Sequence, residues 1–526
     1  MVPCSVQETT AFMIKLTRIL CAVILAFGSM QVSRAQVSVL TYHNDNFRSG
    51  VNPNETALTP TTVTSNTFGR LFSRNLDGAV YAQPLVAGGL NIGGKQHNLV
   101  FVATEHDTVY AFDGEKGRRY WRTKLLPRRG FTVSTNDVQC EDLVPEIGIT
   151  STPVIDSSSR TIYVLAKCQT NSIVIQQLHA LDLVTGKEKF GGPVTIHATV
   201  PGNGDGSVNG VISFDPLRNH QRAALLLANG IVYIAWASHC DQGTYHGWIM
   251  GYNAATLQQA SVFSVTPDGS EGGIWESGCG LSADANGNLF CSTGNGTFDA
   301  DTGGDNFGDS VLKLNTGLAV QDYFTPFDQA SLSAQDNDLG SGGVLLLPDQ
   351  SGAHSHLAIT GSKQDKLYVV DRDDLGHFNS GSDNQIVQSF SGVGGSLFST
   401  PVYFQGMLYC GGVDNPLKAF ALTNGQLSSD STSQSDVTFG YPGTTPSISA
   451  NGTAKGIVWA LQTDGFQTNG PAILHAYDAN DLTHELFAAT GLRQSPGPAV
   501  KFTVPTVANG HVYIGAVRRL TVYGLR

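Results

Sequence analysis

One short phrase recurs along this chain and narrows the folds open to it. An apolar strand ends in Asp or Asn, and a polar turn then closes on Gly. Tyr110-Ala111-Phe112-Asp113 runs to Gly117, and His179-Ala180-Leu181-Asp182 runs to Gly186. Related phrases end at Asn253, Asn315, Asp371, Ala421, Asp478 and Gly524, which makes eight copies spaced 46 to 71 residues apart. A period of this size, with β-rich units between turn signals, describes a closed ring of repeats rather than a string of separate domains.

Each unit reads as four strands. In the first, Pro84-Leu85-Val86 is extended, Asn98 to Ala103 and Thr108 to Asp113 follow, and Arg119-Tyr120-Trp121-Arg122 is the fourth. β-branched and aromatic residues fill these runs, and Gly, Asp and Asn break them. Proline recurs where a first strand begins, at Gln83-Pro84, Thr152-Pro153, Thr400-Pro401, Thr445-Pro446 and Val504-Pro505. Its missing N–H costs no ladder bond there. The last copy, Thr503 to Leu525, supplies three strands, and Phe68 to Ser73 is an orphan strand near the other end. Pairing them closes the ring and hides its edges. The expected fold is an all-β, eight-bladed β-propeller of four-stranded antiparallel blades, closed by strands from both termini. Seven blades plus a cap is the alternative, because the third and fourth copies are the most eroded. The Ser-rich stretch Ser428 to Ser435 reads as an exposed loop between blades.

At 526 residues the chain suggests several domains by length alone, but the repeats absorb everything after residue 35 into one. Residues 1–35 read as an export signal. Lys15 and Arg18 precede the apolar run Ile19 to Phe27, and Ser33-Arg34-Ala35 offers small residues for cleavage. The apolar run is too short for a permanent membrane span. Export implies a periplasmic or extracellular home. A net charge of −12 argues against nucleic acid and anionic membrane as partners, and a monomer is expected. Six cysteines follow residue 35: Cys140, Cys168, Cys240, Cys279, Cys291 and Cys410. They fit either disulfides or small buried apolar residues. No haem-attachment motif and no spaced zinc ligands are present.

The repeat resembles the PQQ-like repeat of the quinoprotein alcohol dehydrogenase-like β-propellers, exported bacterial proteins among them. Leu99–Asp113–Gly117–Trp121, Ile162–Asp182–Gly186–Phe190, Leu367–Asp371 and Leu408–Phe420–Gly425 carry the likeness. The opening Thr41-Tyr42-His43-Asn44-Asp45-Asn46 is similar to a segment found in exported members of this repeat class. The resemblance implies the fold and two kinds of function. Some members are non-catalytic binding or scaffold proteins. Others oxidise alcohols or sugars with PQQ, held by adjacent disulfide-bonded cysteines, a stacking Trp, a Ca²⁺ bound by Glu, Asn and Asp, and an Asp base. This chain has no adjacent Cys pair.

Two segments hold the candidate chemistry. Ala235 to Trp248 packs Trp236, His239, Cys240, Asp241, His246 and Trp248 into fourteen residues. Trp236 suits stacking on a flat ligand, and His239 and His246 suit a base or ligand role. The other segment, Gly273 to Gly280, places Trp275 and Glu276 at the start of an inner strand, where propellers open to their ligands. Glu276, with Asn295 and Asp338, is the candidate Ca²⁺ set. For a quinone site, Asp338 is the candidate base and Trp275 the stacking face. Asp299 to Asn306 resembles an oxygen-rich Ca²⁺ loop without its closing glutamate. The competing reading makes all of these polar caps at a propeller mouth. The expectation drawn is a non-catalytic binding or scaffold propeller, with an unknown protein or small molecule at its channel mouth. The alternative is a PQQ- and Ca-dependent dehydrogenase.

Overall fold

The computed structural model describes residues 36–526. The export signal expected over 1–35 lies outside the described residues. Eight antiparallel sheets succeed one another along the chain. The first shows how the sequence makes them: Leu85–Ile92, Lys95–Thr104, Thr108–Asp113 and Arg119–Lys124 pair in order. Both Gly93 and Gly94 sit at positive φ in the first turn (59° and 82°), where a glycine costs least. The recurring phrase is a docking device. Asp113 Oδ1 accepts from the Glu115 and Lys116 N–H groups (3.1 and 2.8 Å), which folds the turn back on itself. In the second blade, Asp182 folds the same turn, and Trp121 of the first blade donates to Leu183 O (2.9 Å). A Cβ on Gly186 would come within 2.6 Å of the Trp121 ring. The phrase therefore joins each blade to the one before it.

The eroded copies are complete blades. The third holds Leu226–Ala228, Ile231–Ser238, Trp248–Asn253 and Gln259–Ser264. The fourth holds Ser282–Ala283, Leu289–Ser292, Val311–Leu314 and Val320–Thr325. Their inner strands have three and two residues, as short as those of the second, fifth, sixth and eighth blades. Closure follows the expected route. Phe68–Ala79 pairs with His511–Leu525, Phe68 opposite Leu525 and Ser73 opposite Thr521. The long strand turns back at Arg518 (φ 55°), bringing Gly524 against Gly510 and His511. With Thr506–Ala508 inside and Phe68–Ala79 outside, the eighth blade has its four layers. Eight apolar clusters join consecutive blades, and the last joins the eighth to the first. Burial of these faces is the main source of stability in such a ring.

The proline rule holds: Pro84, Pro153, Pro401, Pro446 and Pro505 each stand immediately before an inner strand. The Ser428 to Ser435 reading needs correction. Ser433–Phe439 is a strand of the sixth blade, and buried Ser435 accepts from Leu417 N (3.0 Å). Serine hydroxyls that face a partner strand's backbone imitate a loop composition.

The segment 39–52 threads the ring and ties all eight inner strands in turn. Val39 pairs with Val86 of the first blade, and Leu40 O accepts from Ile155 N of the second (2.8 Å). Asn46 donates to Leu227 O of the third (2.9 Å) and accepts from Ala283 N of the fourth (2.8 Å). Phe47 O takes Leu346 N of the fifth (2.9 Å), Gly50 lies against Val402 of the sixth, and Val51–Asn52 runs parallel to the seventh. Asn52 then donates to Val507 O of the eighth (3.0 Å). Arg48, wholly buried, donates through Nε and Nη2 to Leu281 O and through Nη1 to Thr41 Oγ1 and Tyr42 O. This plug closes the channel at the level of the inner strands.

Candidate functional site

A cavity of about 240 Å³ opens beyond the plug, where the chain enters the inner strands. His220 and Arg222 come from the connection into the third blade, and Trp275 and Ser277 from that into the fourth. Asp338, Phe398, Tyr441 and Lys501-Phe502 come from those into the next four. Each of these stretches precedes an apolar inner strand, so its side chains are delivered to the axis. An insertion between the first and second blades adds Asp142. Its strands Phe131–Ser134 and Glu146–Ile147 pair with each other and with Thr161–Thr170. The disulfide Cys140–Cys240 fastens it to the turn of the third blade. The other four cysteines after residue 35 are buried and free, so both expectations for cysteine hold in part.

The cavity carries charges of both signs. On one wall Asp338 Oδ1 accepts from Asn295 N (2.8 Å) and Oδ2 lies 2.6 Å from Lys363 Nζ, which also reaches Asp336 (2.6 Å). Burial raises the Asp338 carboxyl, and Lys363 pulls it back. Arg222 and Lys501 also line the cavity, and among the described residues neither has a carboxylate within salt-bridge range. Arg222 lies over the rings of Phe502 and Tyr81 (4.6 and 5.7 Å), and Lys501 over Phe466 and Phe502 (5.4 and 5.5 Å). Burial, helped by Arg222, pushes the Lys501 ammonium down to about 8. Cations over aromatic faces, unpaired with acid, suit an anionic ligand with a flat body.

Behind the wall, His239 Nδ1 lies 2.9 Å from Asp142 Oδ2 and its Nε2 lies 2.9 Å from Lys167 Nζ. His220 stacks on the His239 ring, 4.2 Å between centroids. Burial drives both imidazoles well below their ordinary value and lowers Lys167 to about 7.

The structure separates the expected residues. Trp275 and Asp338 line the cavity on either side of Gly294, where a Cβ would run into both the Asp338 carboxylate and the Trp275 ring. Asn295 stands behind Asp338, its side chain on Asp336 (2.9 Å). Trp236 does not face the mouth. It is fully buried between the second and third blades and donates to Gln176 (2.8 Å), because strand alternation turns it toward the neighbouring blade. His246 is committed to structure, Nδ1 on Thr266 Oγ1 and Nε2 on Asp205 O (3.1 and 2.8 Å). Asp299 spends both oxygens on Asn306 (2.9 and 2.6 Å), closing its own loop.

Glu276 is fully buried and turned away from the cavity. Oε1 accepts from Ser292 N (2.9 Å), and Oε2 has no hydrogen-bond partner. Burial raises its carboxyl from 4.5 to about 7. A raised folded value means that the folded chain holds this proton more tightly. That contribution is complete below about pH 4.5 and is lost as pH rises through about 7. Glu276→Gln is expected to remove roughly 3 kcal/mol of pH-dependence between those limits. Urea midpoints of both proteins at pH 5 and pH 8 measure it, and parallel pH curves would contradict it.

The calcium expectation does not fit this geometry. Lys363 holds Asp338 where a cation would sit, and Glu276 is not among the residues lining the cavity. Among the described residues, the one acid and histidine cluster spaced for a metal is Asp142, His220 and His239. Sequence reading flagged His239 and missed Asp142, Lys167, His220, Arg222, Lys363 and Lys501. The available signal was positional: His220-Gln221-Arg222 and Lys501-Phe502 are polar or charged stretches just upstream of inner strands.

No protein-family model matches the chain, and no curated protein does. Solved structures resemble it in fold. Quinohemoprotein alcohol dehydrogenases from Pseudomonas putida HK5 and Comamonas testosteroni each align with a TM-score of 0.61 at 14% identity. The alignments cover 93% of this chain in both cases, and 80% and 81% of theirs. A europium-containing methanol dehydrogenase aligns at 0.59 with 12% identity, over 93% of this chain and 98% of its own. The chain thus has the propeller fold of the quinoprotein alcohol dehydrogenases. Among the described residues, no helix is long and apolar enough to cross a membrane.

Proposed function

We propose that this is an exported propeller that binds a small, flat, anionic molecule at its channel mouth and does not oxidise it. One observation carries this reading: Arg222 and Lys501 face a cavity walled by Trp275, Phe398, Tyr441 and Phe502, and among the described residues no carboxylate comes within salt-bridge range of either, Asp142 of the same cavity acting on both only at longer range. A buried cation without a counter-ion is costly, and an anionic ligand supplies the missing charge. The Cys140–Cys240 disulfide supports export, since such bonds persist in oxidising compartments.

A second reading, a PQQ-dependent dehydrogenase, draws on the fold shared with the three solved dehydrogenases. The ion pair Lys363–Asp338 opposes it, because it occupies the carboxylate that calcium and base chemistry would both need. PQQ, a flat tricarboxylate, serves as probe for both. Saturable PQQ binding without added Ca²⁺, weakened at least tenfold in an Arg222→Ala/Lys501→Ala variant, with no dye-linked alcohol or sugar oxidation, is the expected result. Ca²⁺-dependent turnover that Asp338→Ala abolishes would establish the dehydrogenase instead.

A further inference from the structure

We infer that Asp142, His220 and His239 form a site for a divalent transition-metal ion of the zinc class, reached from the cavity. The site needs no organic ligand and so stands apart from the binding reading above.

The donor geometry is the first support. Asp142 Oδ2 lies 2.9 Å from His239 Nδ1 and 3.4 Å from His220 Nδ1, and the three groups' ligand atoms fall within 4.8 Å of one another. A tetrahedral ion with bonds of about 2.0–2.1 Å sets its donors roughly 3.3 Å apart. Both imidazoles present Nδ1 to the same carboxylate oxygen; they stack with 15° between their planes, so joint coordination requires His220, which no hydrogen bond holds, to turn out of the stack until its lone pair meets the ion. Two imidazoles and one carboxylate, with a fourth position free, form a donor set that suits zinc-class ions.

Unpartnered atoms are the second support. His220 is 3% exposed, yet neither ring nitrogen makes a hydrogen bond, and Asp142 Oδ1 is also buried without a partner. Buried polar atoms in a native fold normally have partners. Both residues line the cavity, which gives an ion access to them. Outer contacts fix the ligands. Lys167 Nζ, anchored on Leu217 O (2.8 Å), lies against His239 Nε2 and keeps Nδ1 toward Asp142; as an ammonium it donates to Nε2 and leaves the ring's proton on Nδ1, so the ion must displace that proton to bind there. The disulfide Cys140–Cys240 brackets Asp142 and His239 from either side. The competing account is an Asp142–His239 hydrogen bond with His220 merely stacked upon it.

Titration decides between them. The chain, dialysed against EDTA and kept oxidised, is titrated with Zn²⁺ by calorimetry and with Co²⁺ by absorption. The expected result is one equivalent bound, with the intense visible bands of four-coordinate Co²⁺. His220→Ala is expected to weaken binding at least tenfold, while the metal-free unfolding midpoint falls only by the loss of a buried ring that holds no hydrogen bond. Asp142→Asn, which keeps the side chain's shape, is expected to weaken binding comparably. Absence of saturable binding in the parent chain overturns the site. So does binding that both variants retain, which would place the ion elsewhere, for example at His356 with Asp349 and Asp373 on the surface.

Discussion

Replacing Arg48 by Ala is expected to destabilise the chain by about 3–5 kcal/mol, among the largest effects a single substitution here can have. The guanidinium makes four hydrogen bonds inside the channel, two of them to Leu281 O, and the side chain is wholly buried. Truncation strands the Leu281 and Tyr42 carbonyls and the Thr41 hydroxyl, each costing about 1–3 kcal/mol when buried alone, and it opens a cavity on the axis. Loss of a desolvated charge offsets part of this, so the estimate stays below the sum of the broken bonds. Arg48→Lys is expected to recover little, since a single ammonium cannot span Leu281 O and Tyr42 O with the planar fork of Arg. Equilibrium urea unfolding gives the magnitude, and hydrogen exchange gives the mechanism. In the variant, segment 39–52 is expected to exchange ahead of the blades, because its ties to the eight inner strands depend on its shape in the channel. A loss below about 1 kcal/mol, with exchange of 39–52 unchanged, would show that the strand pairings alone hold the plug.

How far the sequence could be read depended on how local each device is. The Asp113 turn and the prolines before the inner strands act within a few residues, and they repeat. Eight blades could therefore be counted even where an inner strand has only two residues. Closure was legible because a three-stranded last copy and an orphan strand each lacked a partner. The site was not local. His239 stood out by composition, but its partners Lys167 and Asp142 lie 72 and 97 residues away. Trp236 and His239 are three residues apart, yet the strand ends between them, so one packs on a neighbouring blade and the other meets Asp142 and Lys167. Trp275 and Glu276 diverge for a related reason. Glu276 and Ser277 are both left-handed (φ 45° and 48°), a kink that side chains other than glycine adopt only at some cost, and it sends the carboxylate to Ser292. Arg48 gave no sign at all, because a lone arginine after a polar run reads as solvated surface.

Removing the disulfide, as Cys140→Ala/Cys240→Ala, is the second large effect, an expected loss of about 3–5 kcal/mol. The bond closes a sequence separation of 100, and the chain-entropy account assigns about 4.7 kcal/mol to a loop of that length, with engineered and native cases scattering below it. The full loss appears only while the insertion stays folded without the bond. Its own supports are modest: two pairs between Phe131–Ser134 and Glu146–Ile147, two onto Cys168 and Gln169, and a four-residue helix capped by Ser134. Should the insertion open locally instead, the measured global loss is capped by the free energy of that opening, since the unfolded ensemble and the opened native state both escape the constraint. Limited proteolysis separates the two cases: new cleavage within 131–148, with the blades intact, marks local opening. Opening also carries Asp142 away from His239, so the double variant is expected to lose the one-equivalent Zn²⁺ site together with its stability. A variant as stable as the parent would mean that the strand pairs, and not the covalent bond, hold Asp142 at the mouth.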